Sequence, residues 1–238
     1  MITLRSILYL VFLSVITILY ALPLSIFGWL LPYRLVAKAS QYWGRINLHA
    51  LERICGLSYQ VQGQENLPSS GCIVICKHQS AWEIFALETL LPLGHTWILK
   101  RELLWVPIFG WVLALYQPIA IDRGNTYRSI RKLLDQGKYW LDQGRWVIIF
   151  PEGTRVTSGE RKPYRKGGAI LAHKTGYPIL PIAHNAGVFW RRRDTKKHPG
   201  KITLVIGKPL DPTGLSSDEL HRRVEEWIEE TVERLPRK

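Results

Sequence analysis

From Gly56 onward the chain alternates between short apolar runs and longer stretches with helical spacing. Runs of strand length fall at residues 59–62, 72–76, 96–99, 117–121, 146–150, 179–183 and 202–206. Residues 84–91 and 168–175 read as short helices, the second closed by Gly176-Tyr177-Pro178. Residues 126–141 carry Ile130, Leu133, Leu134, Trp140 and Leu141 on one side, and Gly144 follows. Near the end, Ser216 with Glu219 three positions on forms a capping box. Leu220, Val224, Trp227, Ile228 and Leu235 then make an apolar stripe, which predicts a helix packed on the body. Strands alternating with helices predict an α/β fold: a mostly parallel sheet covered by helices.

Before Gly56 the pattern changes. Residues 6–33 are 28 positions without a charge. As one helix they reach roughly 40 Å at about 1.5 Å per residue, more than the roughly 30 Å hydrocarbon core of a bilayer. They can cross it with tilt, or Pro23 and Gly28 can break them into a hairpin lying in one leaflet. The stretch is too long for a cleaved signal peptide, and no small-x-small site follows closely. Either geometry gives an N-terminal membrane-embedded helical segment. Arg5 precedes it, and Arg34, Lys38 and Arg45 follow it, which places the body on the cytoplasmic side. Residues 34–53 put Leu35, Ala39, Tyr42, Trp43, Ile46, Ala50 and Leu51 at helical spacing among basic residues. That helix suits a membrane interface and equally suits packing on the domain core. The expected organisation is anchoring helices over residues 1–55 and one domain over residues 56–238.

Charge narrows the partners. A net charge of +13 implies a polyanion: nucleic acid, an anionic membrane surface or a phosphorylated ligand. The charge is spread along the chain and no nucleic-acid motif accompanies it, so no nucleic-acid partner is expected. Cys55, Cys72 and Cys76 are odd in number and two lie in one apolar run, which indicates a reducing compartment. No Cys/His set has zinc-ligand spacing, so no metal is expected.

Candidate chemistry gathers after the apolar runs. Lys77-His78-Gln79-Ser80-Ala81-Trp82-Glu83 follows the run at 72–76. A histidine beyond a strand end sits where open α/β sheets place their chemistry. If a helix starts near Ser80, Glu83 falls in its first turn and can fold back to bond one ring nitrogen. The other nitrogen is then free as a base. Taken alone, the same residues equally describe a capped helix start beside a surface histidine. Ser80 reads as an N-cap, and Cys76 is a second, weaker nucleophile candidate. Phe150-Pro151-Glu152-Gly153-Thr154-Arg155 leaves another run, with amides, a hydroxyl and a guanidinium that can fork a phosphate, though taken alone it reads first as a turn with a surface Arg–Glu pair. Lys100-Arg101, Asp122-Arg123 and His184-Asn185 end three more. In a parallel sheet, His78, Lys100, Arg123 and Arg155 meet on one edge, a base among cations suited to a phosphorylated substrate. The run Arg191-Arg192-Arg193 with Lys196, Lys197 and His198 reads as a solvated loop, with anionic headgroups or an acidic protein as alternative neighbours.

These motifs, in this order, resemble the four motifs of the glycerolipid acyltransferases: His-x4-acid, Ile-Asp-Arg, Phe-Pro-Glu-Gly-Thr-Arg and Pro-Ile. The resemblance runs from about residue 60 to 210, and 150–155 is its most specific piece. It implies a glycerol-3-phosphate acyltransferase-like fold. It implies acyl transfer from a thioester, acyl-CoA or acyl carrier protein, to the hydroxyl of lysophosphatidic acid, without a cofactor. It implies His78 as general base and Glu83 as its orienting partner. Arg155, Lys100 and Arg123 would bind the substrate phosphate, in a loop with Glu152, Gly153 and Thr154. The expected localisation is the cell inner membrane, in contact with membrane lipids, with the catalytic domain on the cytoplasmic face. Two departures stand out: Glu83 replaces the family's usual Asp, and Gln117-Pro118 stands where Gly usually opens the second motif. Glycerol 3-phosphate or a lyso-ornithine-type lysolipid is an alternative acceptor. A basic membrane- or nucleic-acid-binding module is the alternative outside enzymology.

Overall fold

The computed structural model describes residues 1–122 and 126–237. Its centre is a seven-stranded sheet: β1 (Leu57–Gln62), β2 (Ile73–Cys76), β3 (His95–Lys100), β4 (Ile119–Ile121), β5 (Trp146–Ile149), β6 (Ile179–His184) and β7 (Gly200–Ile206). All seven predicted runs are strands. Their order is β1-β7-β6-β2-β5-β3-β4, and every neighbour pair is parallel except β6 with β7.

β2 lies in the middle, between β6 and β5, and is buried on both faces. Its side chains alternate between two cores, as a period of two requires. Val74 and Cys76 face Trp82, Phe85 and Trp190, while Ile73 and Ile75 face Leu133, Ala172 and Val224. β2, β5, β3 and β4 run parallel, so the segments leaving their C-terminal ends emerge on one edge. That edge carries the chain after Cys76, Lys100, Ile121 and Ile149.

Helices cover the sheet: α3 (Trp82–Leu90), α4 (Phe109–Leu115), α5 (Thr126–Asp142), α6 (Gly167–Thr175), the single turn α7 (Ala186–Phe189) and α8 (Ser217–Arg234). The capping box at α8 forms, with Ser216 Oγ accepting the Glu219 amide at 3.2 Å. Leu220, Val224 and Ile228 are buried beneath α8. The sequence pattern does not reveal α4 and α7. Neither is long enough to show a helical period, and α4 lies inside a continuous apolar run.

The N-terminus is a helical hairpin of α1 (Ile2–Phe27) and α2 (Tyr33–Cys55). Pro23 does not break α1; the helix runs through it and the reversal comes at residues 28–32. One stripe of α1 packs on the protein: Ser6, Tyr9, Ala21 and Leu24 are buried at spacings of three and four or their multiples. The opposite stripe leaves Leu4, Leu8, Val11, Val15, Ile18, Leu19, Leu22 and Ile26 exposed. α2 buries only part of the face its apolar spacing predicts: Ala50 and Leu51 are buried and Ala39 and Trp43 are partly packed. Leu35, Tyr42 and Ile46 are exposed, while Val36, Ser40, Gly44, Asn47, Leu48 and Leu51 are buried. The cause is close packing on α3. A Cβ on Gly44 would sit 3.0 Å from the Phe85 carbonyl oxygen, and Ser40 Oγ donates to Glu88 at 2.7 Å. Small and hydrogen-bonded residues win that interface over larger apolar ones.

The basic loop after β6 is solvated only in part. Lys197 is not solvated: its ammonium lies 4.8 Å from the Trp190 ring centroid and 5.6 Å from that of Tyr9. It donates to the Thr195 carbonyl at 2.8 Å, and its amide donates to Ser6 Oγ at 2.9 Å. Burial pushes the Lys197 ammonium down from its ordinary value. The lysine thus fastens α1 to the body.

Candidate active site

The turn after β2 is built around one carboxylate. Glu83 is fully buried in the first turn of α3. Its Oε1 accepts the Gln79 and Ser80 amides at 2.8 Å each, and its Oε2 accepts Ser80 again at 3.0 Å. The same Oε1 lies 2.8 Å from His78 Nδ1. Nδ1 therefore carries the proton and donates it, which leaves Nε2 as the basic nitrogen. The ring stacks on Phe150, with centroids 4.0 Å apart and planes within 12°. Burial alone would raise the Glu83 carboxyl, but His184, His78 and the Ser80 amide outweigh it and hold it below its ordinary value.

His184 supports this turn from β6. Its Nε2–H donates to the Lys77 carbonyl at 2.9 Å, and its Nδ1 accepts the Ala186 amide at 3.2 Å. Both nitrogens are used and burial lowers its affinity for a proton, so it braces the turn. Cys76 is fully buried, and burial with the Glu83 and Glu152 charges holds its thiol well above the ordinary value. That removes it as a nucleophile. Ser80 Oγ accepts the Trp82 amide at 3.3 Å, a local bond at the start of α3.

Lys77 points the other way from His78, into the protein. Its ammonium meets Glu229 of α8 at 2.5 Å and Glu152 at 3.3 Å. Tyr164 donates to the same Glu229 oxygen at 2.8 Å. Glu152 Oε1 also accepts the His78 amide at 3.3 Å. Burial raises the Glu152 carboxyl and Lys77 only partly opposes it. Glu152, expected in the phosphate-binding loop, does not line the cavity that Arg155 and Lys100 line. It is buried and turned inward, where it ties the 150–155 loop to the histidine turn.

Phe150, Pro151, Gly153 and Arg155 of that loop face a cavity of about 770 Å³. His78, Lys100, Arg155, Gly153 and Phe150 line it, as the shared sheet edge predicts. Thr154 does not. Gly153 has φ +67°, and a Cβ there would approach Arg165 Nε to 3.2 Å, so a side chain is disfavoured twice. Arg155 has no acidic partner among the described residues. Lys100 holds only a half-exposed pair with Glu102 at 3.2 Å, which costs little to release. Arg123 lies outside the described residues. Away from the cations the cavity is apolar, walled by Ala21, Val112, Leu113, Ile130 and Leu133. It ends near Glu88, which accepts Trp97 Nε1–H at 2.9 Å.

Residues 58–185, which hold the histidine turn and the 150–155 loop, match the family described as Acyltransferase. The chain belongs to this acyltransferase family. It is 44% identical over 204 residues to a 1-acyl-sn-glycerol-3-phosphate acyltransferase of Pseudomonas aeruginosa, covering 84% of this chain and 77% of that one. A namesake from Cocos nucifera is 30% identical over 206 residues, covering 86% and 66%. The crystal structure of the lysophosphatidic acid acyltransferase of Thermotoga maritima superposes with a TM-score of 0.80 at 27% identity, covering 98% of this chain and 97% of that one.

Three residues of this acyltransferase's site are not apparent from the sequence pattern. Arg165 and Lys166 line the cavity because the Arg165 amide is bonded to the Pro151 carbonyl at 2.9 Å, which lays residues 164–166 beside the 150–155 loop. Lys77 is hidden because a lysine in a motif reads as surface. Its one signal is its place immediately after a strand buried on both faces. Gln117, at the position where the family usually has glycine, holds φ +51°. The backbone there keeps the left-handed shape that a glycine suits better.

Proposed function

We propose that this acyltransferase transfers a fatty acyl group from acyl-CoA or acyl carrier protein to the free hydroxyl of 1-acyl-sn-glycerol 3-phosphate, giving phosphatidic acid. The observation that carries the reading is the 2.8 Å bond between His78 Nδ1 and Glu83 Oε1 in a cavity that also holds Lys100 and Arg155. His78 Nε2 takes the proton of the acceptor hydroxyl as it attacks the thioester carbonyl. Glu83 fixes the tautomer and balances the imidazolium. The acceptor oxygen forms the ester bond, and the thiolate leaves and collects the proton from His78. No acyl-enzyme is needed, in keeping with the buried Cys76.

Arg155 and Lys100 bind the phosphate, which holds the hydroxyl near the base. The apolar part of the cavity receives acyl chain. The exposed stripe of α1 lies in the membrane. Since α1 packs along the body, the hairpin dips into one leaflet, with the active site on the cytoplasmic face of the inner membrane. The test compares purified enzyme on lysophosphatidic acid and on the phosphate-free monoacylglycerol. Rapid acylation of the first alone is expected. Equal rates would remove the phosphate assignment.

A further inference from the structure

Residues 103–121 contain no charged side chain. Within them Leu103, Trp105, Val106, Ile108, Phe109 and Trp111 are exposed to between 39% and 68%. So much large apolar surface in nine positions exceeds the isolated exposures normal for a water-facing protein.

The patch has two faces with different duties. Leu103 and Phe109, with Val112 and Leu113 behind them, line the cavity, whereas Trp105 and Trp111 do not. The segment is therefore a wall, apolar on the inside and on the outside. Ile108 makes its tip: φ is +63° and ψ −60°, and the Phe109 amide bonds the Pro107 carbonyl at 2.7 Å. Such a three-residue turn is sharp and strained for a branched side chain.

The segment leads into α4, which packs against the helical hairpin of α1 and α2. Val112 and Tyr116 of α4 share an apolar cluster with Ala21 and Leu24 of α1 and Val36 of α2. Leu115 packs so closely on Gly28 that a Cβ there would overlap its Cδ1. The polar boundary is marked as well. The Arg101 guanidinium lies 6.0 Å from the Trp105 ring centroid, a cation and a tryptophan paired as at a membrane–water interface.

We propose that residues 103–111 are a second membrane-inserting element, whose occupant is the acyl-chain layer of one bilayer leaflet. The element adds to the α1 anchor and rests on the reading that α1 lies in the membrane. It sets the rotation of the enzyme about α1, so that the cavity wall faces lipid and Lys100 and Arg101 sit at headgroup level.

The full-length enzyme is reconstituted in phosphatidylethanolamine–phosphatidylglycerol vesicles, with spin labels at Trp105→Cys, Trp111→Cys, Val11→Cys on α1 and Lys208→Cys on the body. Collision with oxygen is compared with collision with a nickel chelate. Labels at 105 and 111 that favour oxygen, as at 11, support the proposal. Labels at 105 and 111 that favour the chelate, as at 208, with 11 still favouring oxygen, overturn it and leave the α1 anchor standing. All four favouring the chelate overturn both. As a second readout, the Trp105→Glu, Trp111→Glu double variant loses about tenfold or more in rate on long-chain lysophosphatidic acid held in vesicles, since a charge is costly in the acyl layer. It keeps its rate on a monomeric short-chain acceptor. An equal loss on both acceptors, or no loss, overturns the proposal.

Discussion

Lys77 and Glu229 lie 152 positions apart and meet in a buried ion pair at 2.5 Å, one residue from the proposed base. The pair joins the last helix to the turn that carries His78, and Glu152 and Tyr164 complete it. Breaking one member of a buried charge cluster costs roughly 3–5 kcal/mol. Lys77→Met is expected to destabilise the protein by about that much at neutral pH in urea titrations. Without the lysine, Glu152, whose carboxyl burial already raises, loses the cation that opposes that rise, so the deficit should grow between pH 5 and pH 8. A deficit independent of pH would show that the carboxylates do not depend on Lys77.

Glu83 is buried yet held below its ordinary value of 4.5. A carboxyl that is more acidic folded than unfolded contributes stability above its unfolded value. That stability is lost as pH falls through the folded one. The wild type should therefore lose stability below about pH 4.5 in a way that Glu83→Gln does not. The same variant should lose about a hundredfold in kcat, because Gln neither charge-balances an imidazolium nor enforces the tautomer. An unchanged kcat would remove Glu83 from the reaction.

Arg155 is free of acidic partners among the described residues and faces the cavity. A charge-assisted hydrogen bond is worth about 1.5–3 kcal/mol. Arg155→Ala should raise KM for lysophosphatidic acid by about tenfold to a hundredfold, with little change toward monoacylglycerol. Steady-state kinetics on the two acceptors decides this.

Gly153 tests the loop rather than the charge. Gly153→Ala forces a Cβ into a left-handed position beside Arg165. The expected cost is about 1–2 kcal/mol of stability, seen in thermal melts, with a fall in rate as Arg155 moves.

Much of this is legible in the sequence. Seven apolar runs become seven strands because each is short, nearly uninterrupted and bounded by turn residues. The convergence of His78, Lys100 and Arg155 follows from parallel strands alone. The hidden features depend on neighbours in space. The buried face of α2 is set by α3, where Gly44 and Ser40 fit more closely than Leu35 or Tyr42 would. Glu152 reads as part of a phosphate loop, yet Lys77 lies beneath it and turns it inward. Lys197 reads as solvated, yet Trp190 and Tyr9 close over it. In each case a polar group is satisfied by a partner far along the chain, which no local pattern records.

The whole mechanism turns on His78 Nε2 as the base. Its most direct test is single-turnover acyl transfer to lysophosphatidic acid by wild type and His78→Ala, with near-ultraviolet circular dichroism as the check on folding. A loss of about a hundredfold or more is expected in a variant that remains folded. A folded variant that retains the wild-type rate would contradict it.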